Sequence, residues 1–328
     1  MIYEYFRSKL KEAIFQIPQP IPPDSYEDAI PLEKDKPFNT LLTKEIQRYN
    51  ALLTRIRTNL DNTFAAMEGL RQHAEDTDVT FECLQQDRTP PLWSKSCYPC
   101  HSSMSKFVEN LVVRVDYIKA LLDMAANDKF TSRRFWFPGF FSQRNFLMTL
   151  MQEVSRKQRI TIEALVINFR IMAGGERMYS QIKAEGTNSY YIEGLWLYGA
   201  DWLEEEQTIV DLPPQAPNGQ ALPMIHLMVT QQSVEGDSEA SQVDHGGPEG
   251  NLVVPDYLSN EEYQLHHFKK THYMCPVYVN FELNRIEAIN SAEGMRITTI
   301  PIPVKHRKPN FWIKRNVCIL CYNESSTE

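Results

Sequence analysis

PNFWIKRNVCILCYNE, residues 309–324, closes a series of six short β-like runs, and the phrase YYIEGLWLYGADW, residues 190–202, lies among them. The runs are ALVINFRIM (164–172), YIEGLWLYG (191–199), PMIHLMVT (223–230), HYMCPVYVNFEL (272–283), MRITTIPI (295–302) and NVCILCYN (316–323). Each alternates apolar and polar residues or is rich in β-branched and aromatic ones, and Gly, Pro, Asn and Ser clusters separate them. All six follow a long stretch of helical periodicity. Helices first and strands last cannot build repeating βαβ units, so a doubly wound nucleotide-binding sheet is not expected. The order predicts an α+β fold: an N-terminal helical bundle, then a small antiparallel, incomplete six-stranded β-barrel.

Working back from the strands, the clearest helix begins near Leu42. Its apolar positions are Leu42, Ile46, Tyr49, Leu53, Ile56, Leu60, Phe64, Met67 and Leu70, one stripe on a helix of about eight turns. The opposite face reads as polar, with Lys44, Gln47, Arg48, Arg55, Arg57, Asn59 and Asp61. Further helices are expected over 103–126 and 142–157, and a short one over 5–17. QIPQPIPPDSY (16–26) concentrates proline, which removes backbone donors, and reads as a connector. FWFPGFF (135–141) interrupts the helical part with Pro138 and Gly139, and its five aromatics are expected in the core. EGDSEASQVDHGGPEGN (235–251) reads as an inserted loop.

Composition narrows the function. The protein has 328 residues, 42% of them hydrophobic and 23% charged, which is ordinary for a globular protein. A formal charge of −8 argues against a general nucleic-acid surface. No apolar run approaches the ~20 residues that span a bilayer, and the acid-containing N-terminus is unlike a signal peptide. A cytosolic or cytoskeletal protein with reduced thiols is expected. Neither standard phosphate-cradling glycine loop is present, so nucleotide turnover by this chain is not expected.

Few residues suggest chemistry. Cys97-Tyr98-Pro99-Cys100-His101 has the spacing of a haem attachment site, and Cys97, Cys100, Cys318 and Cys321 together have the form CxxC…CxxC. The two pairs are more than 200 residues apart, and alternation along a strand points Cys318 and Cys321 to opposite faces. Buried apolar thiols are the expected reading. His266, His267, His272 and Cys275 surround Lys269 and Lys270, which oppose a metal, so a solvated basic loop is expected. VKHRKPNFWIKR (304–315) combines five Lys/Arg with two aromatics and reads as an edge or docking surface. Glu204, Glu205 and Glu206 read as a solvated face.

Several phrases, in order, resemble the C-terminal region of dynein heavy chains. They are KEIQRYNALLTRIRTNL (44–60), PPLWSKSCYPC (90–100), FWFPGFFSQRNFLMTLMQEVSRKQRITIEAL (135–165), YIEGLWLYGADW (191–202), CPVY (275–278) and FWIKRNVCILC (311–321). The resemblance implies family-signature positions at Trp93, Tyr98, Pro99, Trp136, Pro138, Gly139, Phe140, Phe141, Gly194, Gly199, Trp202, Cys275, Pro276, Tyr278 and Trp312. It implies that residues 1–17 are the remnant of the last helix of a preceding AAA+ module and 18–38 a connector. Residues 39–160 are then the helical part of the domain and 161–328 the barrel part. It further implies no catalytic, metal or cofactor-binding residue, and a role bracing the AAA+ ring of a minus-end-directed microtubule motor. The implied partners are ring modules, dynein light and intermediate chains and, indirectly, microtubules, in the cytoskeleton or an axoneme; neither nucleic acid nor membrane is among them. The sequence departs from the family phrase at Tyr198, Asp201, Trp202 and Leu203, and after CPVY at Val279, Asn280 and Phe281. The expected alternative is a free-standing ligand- or metal-binding barrel using the Cys/His-rich loops.

Overall fold

The computed structural model describes residues 7–8, 11–12, 14–33, 36–72, 74–98, 103–127, 133–172, 188–212, 219–231, 251–253, 271–279 and 296–321. The protein forms two compact units, Met1–Phe130 with Gly139–Ser142, and Thr131–Pro138 with Gln143–Glu328.

The first unit is helical: α1 (Pro23–Glu27), α2 (Pro37–Met67), α3 (Glu75–Gln85), α4 (Pro91–Ser94) and α5 (Met104–Ala126). Pro37 opens α2 at a position whose N–H needs no partner. No Gly or Pro then intervenes before Met67. Leu42, Ile46, Tyr49, Leu53, Ile56 and Leu60 of the expected stripe are buried. Phe64 and Met67 are half-buried and Leu70 is exposed, because the helix has ended. Gly69, at φ +73, stops it: its N–H donates to the Ala66 carbonyl at 3.0 Å and that of Leu70 to Ala65 at 2.9 Å. This is the Schellman pattern, and the left-handed turn suits glycine. Helix α3, which the sequence pattern does not announce, starts where the Thr77 hydroxyl accepts the Ala74 N–H at 3.0 Å. Helices α3, α4 and α5 all contact α2, the spine of the unit.

The second unit holds α6 (Gln143–Gln158), the short helix α7 (Pro309–Lys314) and twelve strands among the described residues. One five-stranded sheet has the order β1 (Arg134–Trp136), β3 (Ser189–Glu193), β8 (Ile225–Gln231), β2 (Leu165–Ile171), β9 (Asn251–Val253). The other runs β11 (Arg296–Pro303), β10 (His272–Tyr278), β12 (Cys318–Leu320), β4 (Trp196–Tyr198), β7 (Gly219–Ala221). Strands β5 (Asp201–Leu203) and β6 (Thr208–Val210) form a separate pair. Helix α6 lies against β2, β8 and β11, burying Phe146, Leu147, Leu150, Met151 and Val154.

The fold is mixed helix and sheet with its long helices toward the N-terminus, although β1 precedes α6 and α7 lies between β11 and β12; the expected incomplete six-stranded antiparallel barrel is not shown among the described residues. Among the described residues no sheet closes on itself, and β1–β3 and β10–β12 are parallel pairs. The single run YIEGLWLYG is cut by two glycines with positive φ, Gly194 at +87 and Gly199 at +82. The first turn sends β3 and β4 into different sheets, and the second separates β4 from β5. Alternation of side chains marks a strand but not the turn that ends it, so one run became two strands, with a third just beyond its end.

Candidate functional site

In the helical unit the polar chemistry centres on α2. The Glu45 carboxylate is wholly buried, accepts the backbone N–H of Phe141 and pairs with Arg48 at 2.9 Å. Burial pushes the Glu45 carboxyl above the usual carboxylate range, while the Phe141 N–H and Arg48 pull the other way. One turn on, the Tyr49 hydroxyl donates to the Gly139 carbonyl at 2.9 Å. Glu45 and Tyr49 thus supply an acceptor and a donor to the backbone of Phe141 and Gly139, where a short 3-10 helix ends. Rings fill the space between: Tyr49 lies 5.4 Å from Phe141 and 6.1 Å from Tyr98, and Phe140 lies 6.0 Å from Tyr117.

Arg114 of α5 enters the same cluster. It is buried, its guanidinium lies 3.8 Å from the centre of the Tyr98 ring, and its Nε donates to Asn110 at 2.6 Å. A buried guanidinium over an aromatic face gains cation–π attraction that offsets part of its desolvation. Burial raises the Tyr49 phenol to about 12, with nearby Arg114 opposing.

A second node lies further along α2 at Asn59. Its Oδ1 accepts the Trp93 indole N–H at 2.7 Å and the Thr80 hydroxyl at 3.0 Å. The helical pattern puts Asn59 on the polar face, yet it is only 5% exposed. It is inside because two donors from α3 and α4 converge on it, which removes the penalty of a buried amide. A cavity of about 440 Å³ adjoins it, lined in part by Thr54, Arg55, Thr58, Asp76 and Thr77.

In the second unit, Trp136 and Pro138 close over Gly194. A Cβ built there would stand 2.6 Å from Trp136 Cδ1 and 3.0 Å from Pro138 Cδ. Trp136 is half-buried, whereas Phe135, Phe137 and Phe140 are buried. Of the five aromatics expected in the core, Trp136 and Phe141 are the two that keep part of their surface in solvent. Gly199 turns above Val317, with a hypothetical Cβ 3.4 Å from its Cγ2.

Cys275 is buried on β10 with its thiol 3.9 Å from the Val317 carbonyl, which the Tyr273 hydroxyl also donates to. Pro276 follows it. The ladder from β10 to β12 begins only at Val277, so the missing proline N–H lies outside that parallel pairing. Tyr278, Cys318 and Leu320 form one buried cluster against Trp196 and Tyr198. Burial pushes the Cys318 thiol up to about 12 and the Cys275 thiol well above its ordinary range. Trp202 and Trp312 are buried, and the Trp202 carbonyl accepts from Gln220 at 2.9 Å.

Of the sequence candidates, Trp93, Tyr98, Gly139, Phe140 and Phe141 fall in the helical unit. Trp136, Pro138, Gly194, Gly199, Trp202, Cys275, Pro276, Tyr278 and Trp312 fall in the second. Pro99, Cys100, His101, His266 and His267 lie outside the described residues. Cys318 and Cys321 are both buried. His272 is half-buried, and burial lowers its pKa. Glu206 pairs with His306 at 2.9 Å, while Glu204 and Glu205 are exposed. Among the described residues no three His, Cys, Asp or Glu side chains are grouped to hold a metal. Sequence patterns do not single out Glu45 or Arg114. Arg114 does leave a signal, as a charge between Leu111 and Val115 on the buried face of α5.

Residues 4–321 match the family model for the C-terminal domain of the dynein heavy chain. The protein is 25% identical over 309 residues to dynein axonemal heavy chain 1 of Mus musculus, covering 94% of this chain and 6% of that protein. Its Homo sapiens counterpart gives 25% over 308 residues with the same coverage. The dynein-1-beta heavy chain of the flagellar inner arm I1 complex of Chlamydomonas reinhardtii gives 29% over 201 residues, 61% of this chain and 4% of that one. The protein therefore spans a small fraction of the length of the relatives it matches. With the family match running almost end to end, it belongs to the family of C-terminal domains of dynein heavy chains.

Proposed function

We propose that the protein is a non-catalytic structural and regulatory domain of an axonemal-type dynein heavy chain. In this reading it braces the AAA+ ring of a minus-end-directed microtubule motor and tunes force and processivity. Its partners are ring modules of the same or another heavy chain. Light and intermediate chains associate through the whole complex, and microtubules are engaged only indirectly. Residues 1–17 are the remnant helix of the preceding module, 18–38 the connector, 39–160 the helical part of the domain and 161–328 its sheet-rich part. The axoneme of cilia or flagella, within the cytoskeleton, is its place.

The observation that carries this reading is how the reactive groups are spent. The Glu45 carboxylate holds a backbone N–H and Arg48, Arg114 holds Tyr98 and Asn110, and Asn59 holds Trp93 and Thr80. The names of the relatives, axonemal and flagellar heavy chains, support the motor context.

The test adds the purified protein to a dynein motor lacking its C-terminal domain and follows co-sedimentation and microtubule gliding. Binding with altered gliding velocity or stall force is the expected result. No binding, together with stoichiometric metal or nucleotide turnover by the protein itself, would favour a free-standing binding protein.

A further inference from the structure

The segment from Lys305 to Arg315 gathers Lys305, His306, Arg307, Lys308, Lys314 and Arg315 on one loop and helix α7. Two of these cations are held in a fixed fork. The Asp211 carboxylate forms ion pairs with both, its Oδ1 lying 2.9 Å from Arg315 Nη1 and its Oδ2 3.5 Å from Arg307 Nε. The Phe311 ring lies 4.9 Å from the Arg307 guanidinium and 4.8 Å from that of Arg315. Both arginines remain about half exposed, at 56% and 48% of their side-chain surface. One carboxylate cannot occupy all ten guanidinium donors, so each arginine keeps donors facing solvent.

The surroundings keep this surface rigid and positive. Trp312 is buried and anchors α7, whose end is fixed by the Val317 N–H donating to the Trp312 carbonyl at 3.2 Å. Lys305 reaches the Glu206 carbonyl at 2.7 Å. Lys308 and Lys314 are exposed and make no ion pair among the described residues. Next to Lys314, Ile313 is 57% exposed. Among the described residues, the one carboxylate that the five Lys/Arg cations meet here is that of Asp211, on a protein whose net charge is −8, and the Glu206 carboxylate is taken by His306. Local charge therefore opposes the global charge.

We propose that this surface docks a carboxylate-rich protein segment bearing an apolar residue, with the carboxylates on Arg307, Arg315, Lys308 and Lys314 and the apolar residue on Ile313. Each planar guanidinium suits a carboxylate geometrically, and holding both beforehand on Asp211 and Phe311 cuts the ordering cost of binding. Single-stranded nucleic acid would instead need a free aromatic face, and the Phe311 ring is already engaged by two guanidiniums. This docking role goes beyond ring bracing, and its failure would leave that reading standing.

The experiment uses the full 328-residue protein. Fluorescence anisotropy follows a labelled peptide of alternating Glu and Leu, its counterpart with Lys for Glu, and an oligothymidine strand. The Glu peptide is expected to bind, the Lys peptide not to bind, and affinity to fall as salt screens the charges. R307Q/R315Q should weaken the Glu peptide about tenfold or more, and K308Q/K314Q by about threefold. If circular dichroism finds R307Q/R315Q unfolded, K308Q/K314Q decides alone, since both lysines are exposed and outside the core. Absence of Glu-peptide binding, binding unchanged in a folded variant, or tighter binding of oligothymidine would overturn the proposal.

Discussion

Gly194 lies so close beneath Trp136 that a methyl group on it would stand 2.6 Å from the indole Cδ1 and 2.7 Å from Nε1. Its φ of +87 is also a value that side-chain-bearing residues rarely adopt. Two independent penalties therefore protect this glycine. Gly194→Ala should cost about 2 kcal/mol or more in a denaturant melt. In a Trp136→Ala background the collision with the indole is gone, leaving the 3.0 Å approach to Pro138 Cδ and a backbone penalty of about 1 kcal/mol, so the cost should be smaller. Equal costs in the two backgrounds would show that the indole does not constrain the turn.

The Asn59 node makes a sharper test of burial. Asn59→Leu keeps volume but removes the acceptor for the Trp93 N–H, whereas Thr80 keeps the Asp76 carbonyl at 2.6 Å. A cost of about 1–3 kcal/mol is expected from the orphaned indole. Trp93→Phe removes that donor, so the same asparagine change should cost less there. A double-mutant cycle with no coupling contradicts the assignment.

Glu45 sets a pH dependence with a definite sign. Its native pKa is raised above the ordinary value of 4.5, so the folded state holds this proton more tightly than the unfolded state does. The associated stability is fully present below pH 4.5 and is lost as pH rises through the raised native value. Glu45→Gln removes the titration while leaving an oxygen for the Phe141 N–H. The stability of the native protein minus that of the variant should fall as pH rises from 4.5 in a series of urea melts. A difference that grows with pH would show that Arg48 and the backbone N–H outweigh burial.

At the alkaline end the direction is the same. Cys318 is raised from 9.0 to about 12 and Tyr49 from 10.0 to about 12, both chiefly by burial. Stability should decline above about pH 9, as the unfolded state ionises groups that the folded one keeps neutral. Cys318→Ala should flatten that decline by up to about 1.4 kcal/mol per pH unit. An unchanged slope would mean that the thiol is open to solvent.

How far the sequence reaches is clear from particular elements. The stripe from Leu42 to Leu60 recurs with helical period, so α2 and its buried face are legible in the residues themselves. The glycine and proline punctuation marks breaks, and the phrases from KEIQRYN to FWIKRNVCILC point to the family matched over residues 4–321. The same local patterns put Asn59 on the surface, pass over Glu45 and Arg114, and fold six runs into a barrel.

Those errors share one cause. Periodicity and turn chemistry act between neighbours, and they determined helix faces, strand faces and where the backbone must bend. Which sheet receives β3 and which receives β4, and whether an amide can be buried, depend on partners far away in sequence. The acceptor of the Trp93 indole is 34 residues away, and that of Tyr49 is 90. Only the tertiary structure brings such groups together, because a buried polar atom is stable just where its distant partner arrives.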